Sequence, residues 1–370
     1  MAGSAQMRIA VAILSLLVVA LMLTEFFVTF LLPRRVKRDP RIARRFFTWF
    51  WTPWRAIAAR LSPVAGDTML GIYGPLGLVL ILVALSVGLI IGYSGLHWAA
   101  DTHLGGAHAA SFLQDLYFSA GSFFSVSVTV SPKGVGKLIQ VVEAASGFGV
   151  LAISIGYLPA LFQAFSEREK AVSQLDARAG SPPTAGGLLV RSGERAGWGE
   201  LDAYLQEWEG WAAELMETHL SYPAIGYFRS QHVNQNWLAA LTAVVDSCAF
   251  AIAFAPEGEV LAAELTFAIG RHALADLAYA YRAPVKASHA DRLPDGDLDE
   301  LCSRLEGSGL ALADGDEARS RLRELRASYE RYTIAIAAQL ALPLAGWLPS
   351  EDVIENWRRA SAKRRRPTLP

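Results

Sequence analysis

Three long runs of apolar residues dominate the first half of the chain, at residues 9–32, 72–98 and 137–165. Each run exceeds the roughly 20 residues that a helix needs to cross a bilayer, so the pattern predicts three transmembrane helices. A shorter apolar run, residues 111–124, lies between the second and the third and is too short to cross. A short helix between two spans is typical of a re-entrant segment. Irregular backbone after such a helix survives at membrane depth only where it is buried or lines a water-filled cavity.

Apolar positions in the second half of the chain recur with the period of a helix, about 3.6 residues. Residues 241–254 and 260–269 are apolar enough to be considered as spans. The charged residues Asp246 and Glu264 interrupt them, so we expect buried helices of a soluble bundle. The sequence shows no strand-like alternation, which predicts an all-α tail. The predicted tail helices cover residues 200–220, 237–254, 260–281, 297–312, 317–342 and 351–359.

These patterns divide the chain into four parts. Residues 1–70 hold an N-terminal transmembrane helix and a basic interfacial segment, and residues 71–165 hold a pore module with the short helix inside it. Residues 166–199, which include the loop-forming AGSPPTAGG, are expected to form a linker. Residues 200–370 form a cytoplasmic α-helical domain. The expected fold class is therefore all-α, with three transmembrane helices, a re-entrant pore helix and a helical soluble domain.

Composition supports a membrane part next to a soluble part. Hydrophobic residues make up 52% of the chain, which is too apolar for an ordinary soluble protein. The net charge of −1 gives no general argument for nucleic-acid binding. Residues 33–67, however, carry nine basic and two acidic residues together with six aromatic rings. This mixture favours a helix on anionic lipid, at residues 34–60; nucleic acid is the other use of such a stretch, and the flanking spans argue against it.

The distribution of charge also predicts an orientation. The region 94–136 contains one basic residue, Lys133, whereas residues 33–70 are strongly basic. The positive-inside rule therefore places residues 33–70 and the tail in the cytoplasm and the N-terminus outside, in a multi-pass protein of the cell (inner) membrane. A cleaved secretory signal is the alternative for residues 9–32. Because the run is long, only Arg8 precedes it and no small-residue cleavage site follows it, we expect a retained span.

The loop after the short helix carries a resemblance to a known family. Residues 122–132 read SFFSVSVTVSP, and they lie between a short helix and a span. This order resembles the pore module of the potassium channel superfamily, closest to bacterial two-span channels with a helical cytoplasmic tail. In that family the loop reads roughly TFFTLGYGDVTP. The framing residues match: two Phe, a hydroxyl residue, an apolar residue and the final Ser-Pro. At the centre, Ser127 occupies the position of the first filter Gly, Val128 that of Tyr and Thr129 that of the second Gly. One residue of the family's loop is missing from this chain. The resemblance covers residues 70–170, and ETHLSYP and RSQHVNQNWLAALTAVVDSCA in the tail also look like that group.

The resemblance implies a homotetramer that conducts monovalent cations, since one chain supplies one loop and an axial ion path needs several. A potassium filter replaces the ion's hydration shell with backbone carbonyls, and its glycines adopt angles that residues with a Cβ avoid. We therefore expect altered selectivity. The alternative is a non-conducting homologue that acts as a membrane scaffold or sensor through its cytoplasmic domain. The residues expected to line the constriction are Ser125, Val126, Ser127, Val128 and Thr129.

Three residues of the third span have expected roles in the pore. Glu143 lies about six residues inside the outer end, where a carboxyl group needs a hydrogen-bonded partner to offset desolvation. The hydroxyl or backbone N–H groups of residues 126–130 are the expected donors, so Glu143 is assigned to filter support; a solvent-exposed Glu143 is the alternative. Gly147 and Gly149 are candidates for a gating hinge, or are small residues that let helices approach closely.

Other chemistry is sparse in the sequence. His97, His103 and His108 fall in a polar segment that we expect to be an extracellular loop, where protonation near neutrality would alter ion entry or gating unless they are simply solvated. The two cysteines, Cys248 and Cys302, fit free thiols and lack metal-ligand spacing. No nucleophile stands in a pattern with a base, so we expect neither an enzyme nor a metal nor a cofactor beyond a permeant cation.

Overall fold

The computed structural model describes residues 2–32, 42–102, 111–126, 131–193, 197–232, 234–256, 260–286, 290–313 and 315–349. The chain is 80% helical and contains no strand among these residues. It folds into two compact units, an N-terminal unit (Met1–Phe162) and a C-terminal unit (Gln163–Pro370). The predicted helix at residues 351–359 and the basic C-terminus lie outside the described residues.

The N-terminal unit contains the three predicted spans and the short helix. The second span begins at Pro63, nine residues before its predicted start, because Pro is compatible with the first turn of a helix. The third begins at Gly136 and continues beyond its predicted end at residue 165 into the C-terminal unit. The short helix was predicted at residues 111–124 and has nearly those bounds. The helices are α1 (Ala2–Phe30), α2 (Ile42–Ala58), α3 (Pro63–Ala99), α4 (Phe112–Phe123) and α5 (Gly136–Ala179).

Small residues let α1 pack closely against α3. A Cβ atom on Gly92 would lie 2.7 Å from the side chain of Val19, and a Cβ atom on Gly95 would overlap the side chain of Ser15. Such close approach favours van der Waals packing between helices in a membrane. The buried core beside this contact brings together α1, α3 and α4 through Val19, Leu89, Ile90, Tyr93 and Phe123.

Helix α2 packs some of its aromatic residues against α3 and leaves others exposed. The Trp51 side chain is buried, and the Trp54 indole Nε1–H donates to the Met69 carbonyl (2.9 Å). This face of α2 therefore packs inside the N-terminal unit, and the lipid contact expected at residues 34–60 remains a prediction for the other side of the helix. Trp49 and Phe50 remain exposed. Residues 34–41 of the predicted lipid-binding stretch lie outside the described residues.

The C-terminal unit is an all-helical bundle. Helices occupy much of the segment expected to be a linker, residues 166–199: α5 continues to Ala179, and a further helix with buried apolar residues, α6 (Ala185–Gly193), follows. The Thr184 hydroxyl accepts from Gly187 N–H (3.1 Å) and so begins a helix where glycine and proline content favoured a loop. The helices are α6 (Ala185–Gly193), α7 (Gly197–Ser221), a 3₁₀ turn (Pro223–Tyr227), α8 (Trp237–Phe254), α9 (Leu261–Ala280), α10 (Asp295–Gly307) and α11 (Asp316–Leu340).

Within the part of the chain that the structure describes, four helices, α1, α3, α5 and α8, are long and apolar enough to cross a membrane, which indicates a membrane protein. Helix α8 differs from the others because 89% of its apolar window is buried inside the chain. It also carries Asp246, whose carboxylate accepts from Tyr329 Oη (2.5 Å) and from Arg292 Nη2 (2.9 Å). These partners offset the cost of removing the carboxylate from water. Its burial favours α8 as the central helix of the C-terminal bundle.

Candidate functional site

Helix α4 begins with a capping box. The Gln114 N–H donates to the Ser111 hydroxyl (3.4 Å), and the Ser111 N–H donates to the Gln114 side-chain oxygen (3.5 Å). These bonds satisfy backbone groups that the first turn of a helix leaves without partners. The helix is 12 residues long, about 18 Å, and the negative end of its dipole points to the residues after Phe123.

From its capped start, α4 runs beside the last turns of α3. The rings of Phe118 and His97 are 5.0 Å apart, edge to face. The Ser119 hydroxyl lies 3.0 Å from the Ile90 carbonyl, nine residues before the end of α3 at Ala99. Nine residues of helix correspond to about 14 Å, so α4 extends well into the N-terminal unit.

Helix α4 also lies along α5, and the chain then turns back. Gly147, which is in contact with the end of α4, lies 11 residues into α5, about 16 Å along its axis. After the loop, Lys133 N–H donates to the Thr102 carbonyl (3.4 Å), beside the C-terminal end of α3. The segment therefore enters the unit and returns to the end where α3 finishes. The paired contacts of α4 with α5 are Ser119–Glu143, Ser122–Gln140 and Phe123–Gly147.

Two of the five residues expected to line a constriction are described. Ser125 is exposed and has a left-handed backbone, with φ of 55°. Val126 is 61% exposed, and its N–H donates to the Gly121 carbonyl (2.8 Å). Ser127, Val128 and Thr129 lie outside the described residues, so their expected role remains a prediction.

Glu143 is fully buried on the face of α5 that meets α3 and α4. Its carboxyl group is hydrogen-bonded to the Ser119 hydroxyl, and its Oε2 atom lies 3.4 Å from Nε2 of His97. One turn further along α5, the Ser146 hydroxyl is 2.7 Å from the Tyr93 hydroxyl. The partners of Glu143 thus come from α4 and α3, and they differ from the loop donors that the sequence suggested.

The two candidate hinge glycines have different surroundings. A Cβ atom on Gly147 would lie 1.9 Å from the Phe123 carbonyl oxygen, so this glycine lets the backbone of α4 approach α5. Around Gly149, no described atom lies within 4 Å of such a Cβ. Both residues lie within a continuous helix. Gly147 therefore has a packing role, and the hinge role of both remains a prediction.

The prediction that His97 belongs to a polar loop is wrong. His97 is fully buried in the last turn of α3, while His103 and His108 lie outside the described residues. Asp115 on α4 is 1% exposed and interacts electrostatically with His97. The sequence contained a signal for this cluster, since Asp115 and Ser119 are spaced i, i+4 and must share one face of a short apolar helix.

A second buried polar cluster lies in the C-terminal unit. Arg168, on the last part of α5, donates to the carbonyls of Ile225 and Phe228, both at 3.0 Å. The His219 Nδ1–H donates to the Leu215 carbonyl (2.8 Å), and Nε2 accepts from Arg168 (3.4 Å). Burial, together with the Arg168 charge, holds the pKa of His219 well below its ordinary value. His219 is therefore neutral near pH 7.

The described residues contain no group of three His, Cys, Asp or Glu side chains that would hold a metal ion. The pair His272 and Asp276 on α9, with an N–O distance of 3.6 Å, is an ordinary i, i+4 contact on a helix surface.

Comparison with known proteins identifies no relative: no family model, no curated protein and no solved structure matches this chain.

Proposed function

We propose that this chain is one subunit of a homotetrameric, potassium-channel-like pore-loop protein, in which residues 125–129 line a path for monovalent cations. The observation that carries the proposal is the course of α4. A 12-residue helix enters between two helices of spanning length, and the chain after it returns to the end of α3. At about 18 Å, α4 cannot cross a hydrocarbon core of about 30 Å.

The position of residues 124–126 supports an aqueous environment for the loop. In a bilayer, backbone that follows a helix ending at mid-depth must be buried in protein or must line a wet cavity. Val126 is largely exposed on the single chain, and Ser125 has a left-handed conformation. The negative end of the α4 dipole and the hydroxyl groups of Ser125, Ser127 and Thr129 favour a cation there. Because serine and threonine replace both filter glycines, weak selectivity among monovalent cations is expected.

The outward face of α5 supports an assembly of several chains. Gly149 and Gly156 have no described atom within 4 Å of a built Cβ, and Ala145 and Ala152 lie on the same side of the helix. Small residues spaced in this way let a neighbouring helix approach closely in a membrane. Fourfold symmetry comes from the resemblance of the loop, and four copies of one loop would enclose a central path.

The remaining surfaces are consistent with the expected topology. Arg45, Trp49 and Phe50 on the exposed side of α2 combine charge with aromatic rings, as expected for contact with anionic headgroups on the cytoplasmic side. The C-terminal unit buries its most apolar helix, α8, as expected for a cytoplasmic domain. In this proposal the N-terminus is outside, and the C-terminal unit assembles or regulates the pore.

Reconstitution of the purified full-length protein into planar bilayers tests the proposal. We expect cation currents that discriminate weakly between K⁺ and Na⁺. Ser127→Trp, which places an indole in the expected constriction, should abolish the current. The control is Leu16→Trp, because Leu16 is 61% exposed on α1 and would face lipid; this variant should conduct normally. No current under any cation gradient from an intact tetramer would contradict conduction and would favour the non-conducting scaffold.

A further inference from the structure

The buried cluster behind α4 contains an imidazole whose tautomer is defined by its neighbours. Nδ1 of His97 lies 3.2 Å from Oγ1 of Thr102, and the Thr102 hydroxyl is directed to the His97 carbonyl oxygen (3.3 Å). A hydroxyl has one proton to donate, so Thr102 Oγ1 accepts a hydrogen bond from Nδ1–H. Nε2 of His97 therefore carries a proton only when the imidazole is charged.

That Nε2 atom faces a carboxyl oxygen. Oε2 of Glu143 lies 3.4 Å away, both side chains are fully buried, and neither of these two atoms has a hydrogen-bond partner among the described residues. If Glu143 were ionised and His97 neutral, two acceptors would face each other without a proton, away from water. Buried polar groups without partners are costly, so one proton belongs to this pair.

Ser119 connects α4 to the same carboxyl group. Its hydroxyl has two acceptors in reach, the Ile90 carbonyl (3.0 Å) and Oε1 of Glu143. When the shared proton lies between Oε2 of Glu143 and Nε2 of His97, the Ser119 hydroxyl donates to Oε1. The Ile90 carbonyl also accepts from the Ser94 hydroxyl (2.6 Å), so it does not depend on Ser119. Glu143 on α5 is thereby joined both to His97 on α3 and to Ser119 on α4.

The polar groups around the pair lie on each of the neighbouring helices, and few of them are charged. From α4, Asp115 is 1% exposed and its Oδ2 atom has no hydrogen-bond partner among the described residues. Beyond the end of α3, Asp101 is paired with Arg8 of α1 (2.7 Å). From α5, the nearest polar groups, Gln140 and Ser146, are neutral, as is Tyr93 Oη on α3 near Ser146. Loss of the shared proton would leave Glu143 as a buried negative charge beside a neutral imidazole and near the Asp115 carboxyl group, which favours separation of α4 from α5.

We propose that His97, Glu143 and Ser119 form a proton-binding site whose occupancy sets the position of the pore helix α4. The regulatory part of this inference rests on the proposed function: protonation holds α4 against α3 and α5, and release of the proton at alkaline pH loosens α4 and changes the current. The proton site itself does not depend on conduction.

Infrared difference spectroscopy of the full-length protein in lipid, titrated with acid and base, tests the site directly. The wild-type protein should show the carbonyl band of a protonated carboxyl group that disappears as pH rises, and Glu143→Gln should lack it. His97→Gln should move the midpoint by about one pH unit or more, a tenfold change in proton affinity. Glu25→Gln is the matched control. Glu25 is a buried carboxyl group of α1, 17 residues and about 25 Å along the helix from Arg8, which is the α1 residue paired with Asp101 near the site. The midpoint of the carboxyl band in this variant should equal that of the wild type.

Two results would overturn the proton site. One is an unchanged carboxyl band in Glu143→Gln, and the other is an unchanged midpoint in both His97→Gln and Ser119→Ala. Ser119→Ala keeps both titratable groups and removes only the hydroxyl that connects α4 to Glu143. It therefore still tests the proton site if Glu143→Gln or His97→Gln fails to fold. Currents provide the second arm: whatever current Glu143→Gln carries should no longer depend on pH. A protein that shows the band but no current would contradict the proposed function and support the proton site.

Discussion

Alanine at Gly147 would separate α4 from α5 at the point where their backbones meet. The added Cβ would lie 1.9 Å from the Phe123 carbonyl oxygen, whereas real Cβ contacts essentially never fall below 3.0 Å. The helices must therefore move apart by about 1 Å, because a backbone carbonyl within a helix turn cannot rotate away as a long side chain can. The neighbouring Tyr93–Ser146 and Ser119–Glu143 hydrogen bonds would be stretched by the same movement.

The cost follows from three contributions. Overpacking of this kind costs about 1–3 kcal/mol, and each weakened hydrogen bond costs about 0.5–1.5 kcal/mol. Replacing glycine by alanine within a helix returns about 1 kcal/mol. We expect Gly147→Ala to destabilise the N-terminal unit by about 2 kcal/mol. For a unit of the size of Met1–Phe162, this lowers the melting temperature by roughly 4–8 °C.

The assay is thermal unfolding of the purified protein in detergent, with gel filtration to record its oligomeric state. Gly149→Ala is the matched control, since it lies two residues away and its Cβ would meet no described atom of the same chain. It should melt at the wild-type temperature or slightly above; an effect on subunit contacts would appear in gel filtration. A Gly147→Ala protein that melts at or above the temperature of Gly149→Ala would refute the close approach of α4 and α5.

Three further predictions concern the C-terminal unit. Removing the buried Arg168 guanidinium with Arg168→Met should destabilise the unit by about 3–5 kcal/mol in denaturant unfolding, since the Ile225 and Phe228 carbonyls lose their donor; a loss below about 1 kcal/mol would contradict this. The pKa of His219 is held low in the folded state by burial and Arg168, so the unfolded chain binds the extra proton. The contribution of His219 to the free energy of unfolding is complete above the unfolded pKa of about 6.5. It is lost as pH falls below that value, by up to about 1.4 kcal/mol per pH unit. His219→Gln should remove this dependence of the unfolding free energy on pH, and an unchanged dependence would contradict the prediction. Asp246→Ala should cost about 3–5 kcal/mol because Arg292 loses its closest carboxylate, whereas Tyr329→Phe should cost about 1–2 kcal/mol; equal effects in thermal unfolding would be inconsistent with this geometry.

The sequence predicted the helices of the N-terminal unit well because their signals are local. Residues 111–124 were predicted as a short helix, and α4 occupies Phe112–Phe123, since Ser111 is a strong N-cap and apolar residues follow it. Asp246, a charged residue within an apolar run, was enough to predict α8 as a bundle helix, and it is buried there.

The partners of these helices were harder to predict because they depend on tertiary contacts. His97 was predicted to be a loop residue because polar and small residues surround it in the sequence. In the structure it is buried in contact with Phe118 and with Glu143, which lies 46 residues further along the chain. Gly147 and Gly149 look alike in sequence, and only the position of the Phe123 carbonyl distinguishes them. Helix α6 was read as part of a linker because its glycines are loop-forming, but Gly186 N–H donates to the Trp347 carbonyl (2.9 Å) in the bundle.

The direction in which the C-terminal end of α4 points within the assembled protein tests the central claim most directly. A cryo-electron microscopy map of the full-length protein in lipid nanodiscs would show it. Our account predicts a fourfold particle in which four α4 C-termini point to a common axis and residues 125–129 surround a central passage. A monomer, or an assembly in which Phe123 and the following residues face lipid, would contradict it.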